Sequence, residues 1–263
     1  MRRVVFDCAL RDDDVRARRY RERALSVLVR ALAEVNAAYL REHRDARFSV
    51  LGDRLASGED GGEWGSVPHL LATGAAGPIE RACWRAADRI VAGRDPAAEL
   101  RAAEGAAQAM FVGRPTSSIA LTVKLFESEA ARARSERSLR AMLMALSAIN
   151  TLYLREYPQT PSLYESGVVY RAEPLPQERW QALPSLIEQG FGDCEDLSCG
   201  RVGDLVVREG IQARPDFRFT RFNEQGHVDD RGRFSLYHIV VRRPDGSIED
   251  PSALLGMGMS LEV

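Results

Sequence analysis

Ala145-Leu-Ser-Ala-Ile-Asn-Thr-Leu-Tyr-Leu-Arg-Glu156 restates Ala31-Leu-Ala-Glu-Val-Asn-Ala-Ala-Tyr-Leu-Arg-Glu42 at an offset of 145 − 31 = 114. Eight of the twelve positions are identical or exchange valine for isoleucine. Each copy continues an apolar stripe: Leu25, Leu28, Leu32, Val35 and Tyr39 in the first, Leu139, Met142, Leu146, Ile149 and Tyr153 in the second. Spacings of three and four residues put each stripe on one face of a long helix. Trp64, Pro68 and Leu70 recur as Trp180, Pro184 and Leu186 at offset 116, and Val112-Gly-Arg-Pro-Thr-Ser-Ser-Ile119 recurs as Val241-Arg-Arg-Pro-Asp-Gly-Ser-Ile248 at offset 129. Three matches in order predict a duplicated chain, with extra loop residues in the second copy. Each copy is expected to run from a short strand (around Val4–Phe6 and Leu121–Phe126) into the long helix. An irregular stretch, a second helix and strands follow. The fold class is α+β, each copy packing helices on an antiparallel sheet, with domains at 1–115 and 116–263.

The chain has 263 residues, 45% of them apolar and 28% charged, with a formal net charge of −2. That is globular composition without a basic footprint for nucleic acid or an anionic membrane. No apolar run reaches a membrane-spanning length, and Asp12-Asp13-Asp14 arrive before any signal-peptide core, so a cytoplasmic protein is expected. Cys8, Cys83, Cys194 and Cys199 are too scattered for a disulfide scaffold or a zinc motif. No metal and no cofactor is expected. Lys124 is the only lysine among 36 basic residues, which fits compositional bias or an enzyme that keeps amines away from its own acyl group.

Gly190-Phe-Gly-Asp-Cys-Glu-Asp-Leu-Ser-Cys-Gly200 carries the chemistry. Its glycines mark a turn, Asp193 is a candidate N-cap, and Leu197, Val202 and Leu205 continue a helix. Cys194 then falls in the first helical turn, where the dipole favours a thiolate. Phe217–Phe222 and Leu236-Tyr-His-Ile-Val-Val241 read as strands, and Pro244-Asp-Gly-Ser247 as the turn before Ile248-Glu-Asp250. Adjacent antiparallel strands would set His238 beside Asp250, so that the carboxylate orients the imidazole and the imidazole deprotonates the thiol.

Gly-Asp-Cys-Glu-Asp-Leu, Tyr-His-Ile-Val-Val and Pro-Asp-Gly-Ser-Ile-Glu-Asp-Pro-Ser together resemble the transglutaminase-like superfamily of papain-related cysteine enzymes, small bacterial and phage members above all. The resemblance covers residues 180–256 best. It implies Cys194 as nucleophile, His238 as general base and acid, and Asp250 as the orienting carboxylate. The expected reaction is acyl transfer on a peptide or protein amide through a thioester on Cys194. Water as acceptor makes a peptidase or amidase, an amine makes a crosslinking transglutaminase, and an inert copy of the fold makes a binding scaffold.

Gln189 is the oxyanion candidate, with Trp180 behind it. His227 is a rival base in a polar loop; no argument from the sequence singles out His43 or His69. Cys199, matching Cys83 at offset 116, is expected to be core packing. Asp196 reads as a first-turn helix carboxylate, and Glu249 alternates away from Asp250. The offsets map Cys194, His238 and Asp250 onto Pro78, Ala109 and Leu121, so the first copy lacks the chemistry. It is expected to pack against the active copy or to dock a protein partner. Residues 215–235 should form a hairpin beside the site. Deleting residues 1–115 should leave an unstable but chemically intact second half. The Arg-rich run 131–137 is either a proteolytic nick site or a solvated helix face.

Overall fold

The computed structural model describes residues 2–7, 15–52, 55–57, 63–111, 119–123, 132–173, 177–222 and 234–257. Cys8, Lys124, His227 and residues 223–233 of the expected hairpin lie outside the described residues. The first half runs β1 (Arg2–Asp7), α1 (Val15–Leu40), α2 (Phe48–Leu51), β2 (Ala56–Ser57), β3 (Glu63–Gly65), α3 (Val67–Thr73), β4 (Ala75–Ala76), α4 (Pro78–Val91) and α5 (Pro96–Phe111). The second runs β5 (Ile119–Val123), α6 (Arg132–Glu156), β6 (Val169–Tyr170), β7 (Gln177–Gln181), α7 (Leu183–Gln189), β8 (Phe191–Gly192), α8 (Cys194–Arg208), β9 (Arg214–Phe222), β10 (Phe234–Arg242), β11 (Ile248–Glu249) and α9 (Pro251–Leu254). This is an α+β chain.

The predicted stripes become the long helices α1 and α6, which pack on each other. Leu28, Leu32, Met142, Leu146 and Ile149 are fully buried in one core with Trp64 and Trp180. Residues 132–137 of the Arg-rich run lie in α6. Arg134 is buried there and ion-paired to Glu42 at 2.9 Å.

A set of contacts recurs between the halves at offsets of 113 to 116. Asn36 Oδ1 accepts from the Val67 amide at 2.8 Å, and Asn150 Oδ1 from the Leu183 amide at 2.8 Å, each satisfying the first amide of the following helix. Cys83 Sγ donates to the Val29 carbonyl and Cys199 Sγ to the Leu143 carbonyl. Glu80 accepts from the Gly65 amide on β3, Asp196 from the Gln181 amide on β7. Asp88 accepts from the Ser49 amide, Asp204 from the Leu163 amide. β2–β4 and β6–β8 are matching two-residue parallel ladders.

Two expectations need correction. The second half carries the expected antiparallel sheet, β11-β10-β9, but among the described residues the first half has none of its own, and one mixed sheet, β3-β5-β1-β7, spans both halves. β1 and β5 pair antiparallel at its centre, while β3 joins β5 and β7 joins β1 in parallel. Each outer strand therefore pairs with the opening strand of the other half. Strands of three to six residues make a poor sheet in pairs and a sound one in a set of four. The second correction is α5. The repeat reading puts strands after the second helix of the first half and maps Ala109 onto His238 in a strand, but residues 96–111 form a helix. Seven of its sixteen residues are alanine, and Asp95 caps it by accepting from the Ala97 and Ala98 amides. Ala109 thus sits in a helix and has no correspondence with His238 on β10.

Candidate functional site

Cys194 is the first residue of α8, and its counterpart at 194 − 116 is Pro78, the first residue of α4. Gly190 ends α7 at φ 77, a left-handed cap whose amide returns to the Leu186 carbonyl at 3.0 Å. Gly192 is needed for space: a Cβ there would stand 2.5 Å from Leu186 Cδ1 and 2.8 Å from Asp196 Oδ2. These two glycines turn the chain sharply enough to set Cys194 against β10. Ser198 Oγ on α8 donates to the Ile239 carbonyl at 3.0 Å, and the Ile239 amide hydrogen-bonds the Cys194 sulfur.

His238, next to Ile239 on β10, places Nε2 2.8 Å from Asp250 Oδ2. Asp250 caps α9, with Oδ1 accepting from the Ala253 amide at 3.2 Å. Burial alone would raise this carboxyl; the His238 hydrogen bond and charge outweigh it, with help from the Ala253 and Ser252 amides, and hold it below its ordinary value. With Nε2 turned to Asp250, Nδ1 is the ring nitrogen left for proton transfer.

The thiol behaves otherwise than its helix terminus suggests. Burial first, and then the Asp193 charge, push Cys194 up to about 12, against weaker opposing help from the Ile239 amide and Glu195. Its sulfur donates to Glu195 Oε2 at 3.4 Å, a hydrogen bond made in place of one to His238. The resting sulfur is therefore a protonated, half-buried thiol, with the dipole of α8 overruled by lost solvation.

The other predicted residues separate into structure and periphery. Gln189 Oε1 accepts from Arg179 Nη1 at 3.5 Å at the end of α7. Trp180 is buried in the shared core, as Trp64 is in the first half. Cys199 is a buried thiol spent on a helix carbonyl, as expected. His43 stacks on Tyr39 at 4.2 Å. Asp196 is more than a first-turn carboxylate: buried, it takes the Gln181 amide on Oδ1 at 2.6 Å and Gln181 Nε2 on Oδ2 at 3.2 Å. Since the first half keeps an acid there, Glu80, its role is to latch a strand to a helix. Among the described residues, Asp193, Glu195 and Asp196 form a group whose ligand atoms lie within 4.8 Å of one another, the one place with spacing that could hold a cation. Burial raises all three carboxyls above their ordinary values.

Tyr170 escaped sequence reasoning. On β6 it pairs with Gly192, two residues before the cysteine, and its amide donates to the Leu255 carbonyl at 2.8 Å, five residues after Asp250. Burial raises its phenol first, followed by the charges that Cys194, Asp193, Glu195 and Asp250 carry when ionised. Tyr170 thus stands within electrostatic reach of both the cysteine turn and the carboxylate. The matching ladder has Ser57, so the signal was present in the repeat but hidden by an offset of 170 − 57 = 113. Against known proteins, the chain matches no family model, no curated protein and no solved structure.

Proposed function

We propose that this chain is a cysteine-dependent acyl-transfer enzyme, made of two diverged transglutaminase-like repeats of which the second is active, and that it hydrolyses a peptide or protein amide. The observation that carries the reading is the 2.8 Å contact of His238 Nε2 with Asp250 Oδ2, the residues that the resemblance implies as base and orienting carboxylate. Because the thiol rests protonated, His238 acts as a general base during attack rather than through a preformed ion pair. The thiol proton passes to Nδ1 as the sulfur–carbon bond forms. The same proton leaves with the amine as the carbon–nitrogen bond breaks, and water then cleaves the thioester. An amine in place of water gives the crosslinking outcome.

The test is acylation of Cys194 by an activated peptide ester, read by mass spectrometry of the intact chain. Acylation should vanish in Cys194→Ser and fall at least ~100-fold in His238→Ala. Equal acylation of the wild type and His238→Ala sinks the proposal. A second reading, a non-catalytic binding scaffold, is favoured by the raised thiol and its Glu195 partner. Under that reading Cys194 shows no acylation that depends on His238.

A further inference from the structure

β11 holds only two residues, Ile248 and Glu249, and its ladder to β10 is just Val241↔Glu249 and Arg242↔Ile248. So short a strand fixes Asp250 poorly on its own. The adjacent Glu249 is held far more firmly. Its Oε1 accepts from Tyr164 Oη at 2.6 Å and Arg201 Nε at 2.7 Å, and its Oε2 from Arg243 Nη2 at 2.5 Å and Nε at 3.2 Å. Four donors fill the carboxylate's acceptor positions. Burial alone would raise Glu249, but these donors keep it below its ordinary value. The Arg201 and Glu249 side chains are only 11% and 14% exposed, which reduces screening of the pair.

Arg201 belongs to α8, seven residues beyond Cys194, about 10 Å along the helix axis. The Glu249–Arg201 pair therefore ties the segment bearing Asp250 to the helix bearing the thiol. The first half supplies an internal control. Arg85, at 201 − 116, lies over the Phe48 ring at 4.5 Å, as Arg201 lies over the Tyr164 ring at 5.1 Å. The arginine–aromatic stack is thus shared architecture. The phenol hydroxyl and Glu249 belong to the half that has His238 and Asp250.

We infer that Glu249, gripped by Arg201, Tyr164 and Arg243, is a positioning residue that holds Asp250 against His238 in register with the Cys194 helix. The inference rests on His238 and Asp250 working as a pair. It predicts that loosening the grip loosens the His238–Asp250 hydrogen bond without unfolding the half. Tyr164→Phe reproduces Phe48 and keeps the stack, so it should fold; Glu249→Gln removes the charge.

The experiment is nitrogen-15 NMR of the full chain, following solvent exchange of the His238 Nε2 proton, with Asp250→Asn as reference. Exchange should accelerate about tenfold in Glu249→Gln, as expected for loss of one charged hydrogen bond. Tyr164→Phe should show a smaller rise in the same direction, with an unchanged backbone spectrum away from β11. Wild-type exchange in Tyr164→Phe and in any folded Glu249→Gln overturns the inference. So does an unprotected proton in the wild type. A protected proton in a wild-type chain that never acylates Cys194 sinks the enzyme reading and leaves the positioning role standing.

Discussion

Burial raises both Cys194 and Asp250, and only Asp250 has a partner, His238, whose hydrogen bond and charge outweigh it. Asp250 sits below its ordinary value, so its contribution to stability is complete above the unfolded carboxyl range and is lost as pH falls through the folded value. Urea unfolding between pH 2 and 6 should show the wild type losing its advantage over Asp250→Asn at the acid end; a constant difference contradicts the pairing. Cys194 is raised to about 12, so its contribution is complete below the unfolded thiol value and disappears as pH rises through the folded one. Iodoacetamide should accordingly label Cys194 at pH 8 at least about tenfold more slowly than free cysteine, whose pKa is near 8.5. Labelling at the free-thiol rate, read by peptide mass spectrometry, removes the general-base argument.

Elements in this chain are joined by buried side chains that accept hydrogen bonds from backbone amides. Asn36 and Asn150 each hold the first amide of a seven-residue helix. Replacing Asn150 by alanine leaves the Leu183 amide unsatisfied and should cost about 1–3 kcal/mol in denaturant unfolding, and Asn36→Ala a similar amount. A cost near zero at both sites would mean water takes over the bond. Gly192→Ala is expected to damage the site rather than only the stability, since its Cβ would press on Leu186 and Asp196 beside the cysteine turn. The expectation of strands after the second helix of the first half failed at this scale as well. A short match to a strand motif was outweighed by an alanine-rich segment with a good aspartate cap, because helix propensity summed over sixteen residues exceeds the weight of a few matched side chains.

The interleaved sheet makes the two halves one cooperative unit. β7 has its partner in β1, β3 has its partner in β5, and the main core draws on α1 and α6 together. A fragment of residues 116–263 should therefore fail to fold alone, contrary to the expectation of an intact second half, and should regain structure when residues 1–115 are added. Circular dichroism and denaturant titration of the fragment decide it; a cooperative unfolding transition in the isolated second half refutes it. Among the described residues, no helix is long and apolar enough to cross a membrane.

Periodicity and local chemistry are written in consecutive residues. That is why the long helices, the glycine turn before Cys194, the strand carrying His238 and its step to Asp250 were legible from the chain alone. The alignment of Asn36 with Asn150 and of Cys83 with Cys199 was legible too, but the backbone groups they bind were not. Strand exchange was not legible, because a three-residue strand carries no mark of which partner it will hydrogen-bond. Nor were Tyr170 beside both ends of the site, the grip on Glu249, or the raised thiol. Each depends on how deeply a group is buried and on which charges meet it across elements far apart in sequence, and only the packed chain decides those.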